Sequence, residues 1–149
     1  MLAENKGPNA GNFRSQMSHD EPGWNAQPSR IRRILLVDPD EPVSSLLLDA
    51  LDGQEGLQLL ITSSGREALS IARAQTVDII ITELMLQDIS GSEICRCLKS
   101  DPLTSHIKVI VLTVLADREN RRQALDAGAD LFFTKPVSLA ALLGAIKQL

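Results

Sequence analysis

Four polar residues stand at the carboxyl ends of short apolar runs and are the chain's candidates for chemistry. Asp38 follows ILLV, Glu83 follows DIIIT, Thr113 closes KVIVLT and Lys135 follows LFFT. A buried strand that ends on an acid is costly unless a site requires the charge or a partner satisfies it. Glu83 is the sharpest case, because the stretch Val77 to Gly91, VDIIITELMLQDISG, drives a β-branched run straight onto it. In one cleft, Lys135 would be the natural counter-ion of Glu83. Taken singly, each residue has a plain structural explanation: Thr113 as a β-former, Lys135 as a surface charge, the acids as loop or capping groups. Their recurrence at four of five strand ends is what marks a site.

The elements that must position them follow from periodicity. Apolar strands at Ile34–Val37, Leu57–Thr62, Ile79–Thr82, Ile107–Leu112 and Leu131–Thr134 alternate with helical patterns. The first helix carries Val43, Leu46, Leu47, Ala50 and Leu51 at helical spacing, with Pro42 suited to its first turn. Ser64 with Glu67 and Ser90 with Glu93 have capping-box spacing; Asp117 and Ser138 can cap the last two helices. Strand–helix alternation with short connections predicts an α/β, doubly wound, five-stranded parallel sheet with five helices, flavodoxin-like, in the order 2-1-3-4-5. Ligands in such folds sit where the strand order reverses, between strands 1 and 3. That point lies between Asp38 and Glu83.

Composition bounds the function. Of 149 residues, 44% are hydrophobic and only 3% aromatic, so the core must be built from Leu, Ile, Val and Ala. A net charge of -4 argues against a nucleic-acid surface. Cys95 and Cys97 lie two apart on one predicted helix and point to different faces, which disfavours a disulfide or a zinc site. No apolar run approaches a membrane span and no signal-peptide core is visible, so a cytoplasmic protein is expected. Residues 1–30, rich in Gly, Pro, Asn, Ser and Gln, are expected to be a disordered tail ahead of a domain at 31–149. Phe13 and Trp24 in that tail are incidental residues or a short docking motif.

ILLVD, DIIITELMLQDISG, VIVLT and FFTKP resemble the motifs of the receiver domain of bacterial two-component response regulators, similar to the stand-alone chemotaxis regulator. The resemblance covers residues 32–149. It implies a phosphorelay module without enzymatic activity of its own, in which a strand-3 aspartate accepts a phosphoryl group from a kinase histidine. It implies further that acids after strand 1 help hold Mg²⁺, and that a strand-4 hydroxyl and a strand-5 lysine contact the phosphoryl oxygens. A strand-5 aromatic reorients on activation. On this chain Asp38 matches the first acid, Thr113 the hydroxyl, Lys135 the lysine and Phe132 the aromatic, with Thr113 and Phe132 as the switch. The Lys135-Pro136 bond is then expected to be cis.

Two positions depart from that pattern. Glu83 stands at the phosphoacceptor position and Pro39 replaces the second acid. Mg²⁺ wants near-octahedral oxygen ligation, and only Asp38, Glu83 and the Met85 carbonyl are left, with Asp40 a distant reserve. A weak Mg²⁺ site and no other cofactor are therefore expected. Glu83, one methylene longer than Asp, should place its carboxylate within reach of Thr113 and Lys135. In-line phosphoryl transfer tolerates little misplacement. The expectation is an atypical receiver that acts through a protein partner, a sensor histidine kinase or a downstream signalling protein, with a conventional phosphoacceptor as the alternative. Arg118, Arg121 and Arg122, beside Phe132, mark the face of the fourth helix, fifth strand and fifth helix as the partner surface, with a homodimer as another use of it. No further domain is expected after the fifth helix. The rival from another class, a flavodoxin-like ligand binder, lacks the Gly-rich phosphate loop it would need after Asp38.

Overall fold

The computed structural model describes residues 30–149. The expectations for the tail, Phe13 and Trp24 included, lie outside the described residues; Arg30 is tied to Asp78 at 2.6 Å. Five strands, β1 (Arg32–Val37), β2 (Leu57–Thr62), β3 (Ile79–Thr82), β4 (Lys108–Thr113) and β5 (Leu131–Thr134), alternate with five helices. These are α1 (Glu41–Asp52), α2 (Gly65–Ala74), α3 (Gly91–Ser100), α4 (Arg118–Asp126) and α5 (Leu139–Gln148). Every pairing is parallel and the order is β2-β1-β3-β4-β5, as the alternation predicts.

Strand residues alternate between two cores, because successive side chains leave a strand on opposite faces. Leu35, Val37, Ile80, Val109 and Val111 meet Ala68 of α2, Ile94 and Leu98 of α3 and Ala124 of α4. Ile34, Leu36, Ile79, Ile81, Ile110 and Leu112 meet Leu47 and Leu51 of α1 and Leu142 and Ile146 of α5. With both faces covered, Ile79, Ile80 and Ile81 are wholly buried, so truncating any one to Ala costs about 2–5 kcal/mol.

Two local expectations change. Leu46 has the spacing of the α1 stripe yet is 64% exposed; Ser44, Leu47 and Leu51 form the buried line instead. At α2, Ser64 accepts from the Glu67 N–H, but the Glu67 carboxylate takes the Thr62 hydroxyl rather than closing the box. The Ser90–Glu93 box on α3 is complete. Asp40, Asp117 and Ser138 cap α1, α4 and α5. Both cysteines are free thiols, Cys95 buried and Cys97 half-buried.

Candidate functional site

The parallel register sets the site. Val37 pairs with Thr82, and the Glu83 N–H donates to the Val37 carbonyl at 2.9 Å, so Asp38 and Glu83 leave β1 and β3 side by side. One strand further, the Lys135 N–H donates to the Thr113 carbonyl at 2.8 Å. The Lys135-Pro136 bond is cis. From there the lysine crosses to both acids: Nζ lies 2.7 Å from Asp38 Oδ2 and 3.0 Å from Glu83 Oε2.

All three side chains are shielded, at 2% exposure for Asp38, 10% for Glu83 and 12% for Lys135. Burial pulls the Lys135 ammonium pKa down, but hydrogen bonds and charge from Asp38 and Glu83 outweigh it, and the net direction is up. The remaining carboxylate oxygens are also occupied. Asp38 Oδ1 accepts from the Asp40 N–H at 2.8 Å. Glu83 Oε1 turns back on its own loop, accepting from the Leu84 N–H at 2.7 Å and the Met85 N–H at 3.4 Å.

That turn changes one expectation. Glu83 reaches Lys135 but makes no hydrogen bond to Thr113, whose fully buried Oγ1 accepts from the Leu115 N–H at 3.3 Å. Met85, 68% exposed, lines the same cavity of 210 Å³ as Asp38, Glu83 and Lys135, together with Pro39 and Asp40. Phe132 is not at the acids; it is buried beside α4, with the Arg121 guanidinium carbon 5.7 Å from its ring centroid.

The family described as "Response regulator receiver domain" matches residues 34–147. The chain belongs to that family. This receiver domain is 37% identical over 117 residues to the response regulator PleD of Caulobacter vibrioides, covering 78% of the chain and 26% of PleD. It is 29% identical to the polar-differentiation response regulator DivK of Brucella ovis, covering 78% of the chain and 94% of DivK. The chain thus spans about a quarter of one relative and nearly all of the other. Among solved structures, a CheY-like receiver domain protein from Methanospirillum hungatei JF-1 superposes with a TM-score of 0.73 at 30% identity, over 79% of this chain and 92% of that one. Family and fold place the molecule in two-component signalling, whose receiver domains work with protein partners.

Receiver domains generally bind Mg²⁺ at the phosphorylation site, and the oxygens of this cleft are a poor donor set for that ion. Three carboxylates line the cavity, but Asp38 and Glu83 each have both oxygens already accepting hydrogen bonds, and Asp40 caps α1. Among the described residues no three or more His, Cys, Asp or Glu are disposed to hold a metal. The cation that Asp38 and Glu83 do hold is the ammonium of Lys135.

Two residues that support the site were not singled out from sequence. Asp88 accepts from the Ser64 hydroxyl and from the Gly65 and Arg66 N–H groups, docking the loop after β3 onto the start of α2. Those bonds hold its carboxyl well below the usual range. Gly91 packs directly on the Glu83 backbone: a Cβ there would collide with the Glu83 carbonyl oxygen and crowd Leu84 Cα at 3.1 Å. A short acid in a loop and a glycine at a helix start are too common to signal either role.

Proposed function

We propose that this receiver domain signals without phosphoryl transfer, presenting its surface to a protein partner from a cleft whose charges are already paired. The carrying observation is the satisfied state of Glu83: Oε2 on Lys135, Oε1 on two backbone N–H groups. The carboxylate takes the lysine that would otherwise contact a phosphoryl group. Its charge stands next to Lys135, where activation would add charge, but not on Thr113, so it biases the domain only partly towards the activated state. Mg²⁺ binding is correspondingly weak.

The partner is a sensor histidine kinase or a downstream signalling protein, met in the cytoplasm through α4, β5 and α5. Arg118, Arg121 and Arg122 are exposed there, beside buried Phe132 and half-exposed Leu125. A homodimer through this face is a further use of it. Intact-mass spectrometry after incubation with acetyl phosphate and Mg²⁺ tests the reading. Unchanged mass is expected; a stoichiometric phosphoryl adduct that disappears in Glu83→Gln would return the domain to conventional phosphotransfer.

A further inference from the structure

An apolar cleft of 330 Å³ lies between the starts of α1 and α5, at the carboxyl edge of the sheet. Val43 and Leu46 of α1, Val114 after β4, and Pro136, Val137 and Leu139 at the approach to α5 line it. Leu46 is 64% exposed and Val114 67%, while Val43, Val137 and Leu139 are half-buried. Singly, such exposed residues are ordinary; converging on one hollow, they mark an interaction surface. One polar group at the rim has capacity to spare. Asp40 caps α1 through Oδ1, and its Oδ2 has no hydrogen bond among the described residues.

The chain itself carries an occupant to this cleft. Trp24, its one tryptophan, stands six residues before Arg30 and outside the described residues. Arg30 lines a cavity with Ile146 and Lys147, and the Arg32 guanidinium donates to the Ile146 carbonyl at 2.6 Å. The segment before Arg30 therefore joins the domain beside the end of α5. The start of that helix, Leu139, is a wall of the cleft. From Ile146 back to Leu139 the helix rises about 10 Å, and six extended residues span about 20 Å. Trp24 thus reaches the cleft with length to turn into it. Phe13, further from Arg30, would have a longer loop to close. Residues 22–29, PGWNAQPS, carry no charge, so nothing in them is repelled by Asp40 or Glu41. The nearer cavity at Arg30 is lined by Arg32, Glu55 and Lys147 as well, a charged wall that suits an indole poorly.

We propose that Trp24 of the same chain docks its indole in the cleft between α1 and α5, with residues 25–29 laid back along α5. The ring covers Leu46, Val114 and Leu139, and the indole N–H, a donor that seeks a partner when buried, is met by Asp40 Oδ2. Asp40, Val114 and Lys135 line both this cleft and the acid cavity, so the docked segment borders the site of Asp38 and Glu83 and narrows a partner's approach from the α1 side. The contact is an intramolecular cover that a partner competing for Leu46 and Val114 must displace. The inference does not depend on whether Glu83 accepts phosphate.

A single tryptophan makes fluorescence of the full chain the test. Emission blue-shifted from that of N-acetyltryptophanamide, with weaker acrylamide quenching, is expected, and both should be unchanged on dilution. Leu46→Gln and Val114→Gln, at exposed positions that leave the fold intact, should each shift the emission back to the red, with thermal unfolding checked in both. Amide ¹⁵N shifts between the parent and Trp24→Ala should centre on Val43, Leu46, Val114 and Leu139. Parent emission and quenching equal to those of the free indole would overturn the docking. A blue shift untouched by both variants would place Trp24 elsewhere and overturn it equally. A blue shift lost on dilution would assign the cleft to a second copy of the chain and overturn the intramolecular cover.

Discussion

The Lys135 ammonium stands 3.0 Å from Glu83 Oε2, so the acid that ends β3 is a counter-ion of the lysine that follows β5. Asp38 holds the same nitrogen at 2.7 Å, and two buried carboxylates depend on one cation. Lys135→Met should therefore destabilise the domain by about 3–5 kcal/mol, the usual cost of leaving buried charge uncompensated. Urea unfolding measures it; a loss below about 1 kcal/mol would assign the pairs the worth of exposed ones.

The same lysine sets an alkaline limit. Its folded-state pKa is raised, so its contribution is complete below the unfolded value of about 10.4 and is lost as pH climbs through the folded value. Thermal midpoints followed from neutral to strongly alkaline pH should fall more steeply in the parent than in Lys135→Met. Parallel curves would show that the ammonium gains nothing on folding.

Phosphoryl chemistry should return only when both departures are reversed. On the proposed reading, Glu83→Asp alone shortens the acid but leaves Pro39 where a metal-holding acid is needed, and little adduct is expected. Pro39→Asp with Glu83→Asp supplies the acid and the acceptor together, and acetyl phosphate with Mg²⁺ should then give an adduct by intact mass. An adduct on Glu83→Asp as large as on the double variant would show that Pro39 is not the obstacle.

Gly91→Ala should cost about 1–3 kcal/mol, because the new Cβ meets main-chain atoms of Glu83 and Leu84 that cannot swing aside. Gly65→Ala makes the informative comparison. Its Cβ meets Ile89 Cγ1 at 2.6 Å, a side-chain atom that can move, so the smaller loss is expected there. Chemical denaturation of the two variants ranks them, and the reverse order would contradict the close approach.

Asp88 acts by hydrogen bonding to the start of α2, with a carboxyl held below its ordinary pKa. A depressed carboxyl stabilises above the unfolded value of about 3.9, and the contribution is lost as pH falls through the folded value. Asp88→Asn should lower the thermal midpoint at neutral pH, with the gap to the parent closing in strong acid. A gap that persists unchanged in acid would assign the effect to shape rather than charge.

Much of this molecule is written locally. The runs ILLV, LQLLIT, IIIT, KVIVLT and LFFT are β-branched or leucine-rich, short and bounded by polar turn residues, so composition and punctuation alone locate β2, β3 and β5 to the residue, although only the central strands are buried on both sides. Capping side chains act within four residues, which is why Asp117, Ser138 and the Ser90–Glu93 pair were legible. Asp38, Glu83, Thr113 and Lys135 could be placed at one edge because parallel strands alternating with helices must all end on that edge. What the side chains do there was not local. Glu83 could have turned to Thr113; the N–H groups of Leu84 and Met85 are nearer, and only the folded loop shows that they capture Oε1. Leu46 and Ser44 make the same point on α1. Helical spacing admits either into the buried stripe, and the rotation of the helix on the sheet, a property of tertiary packing, exposes the leucine and buries the serine.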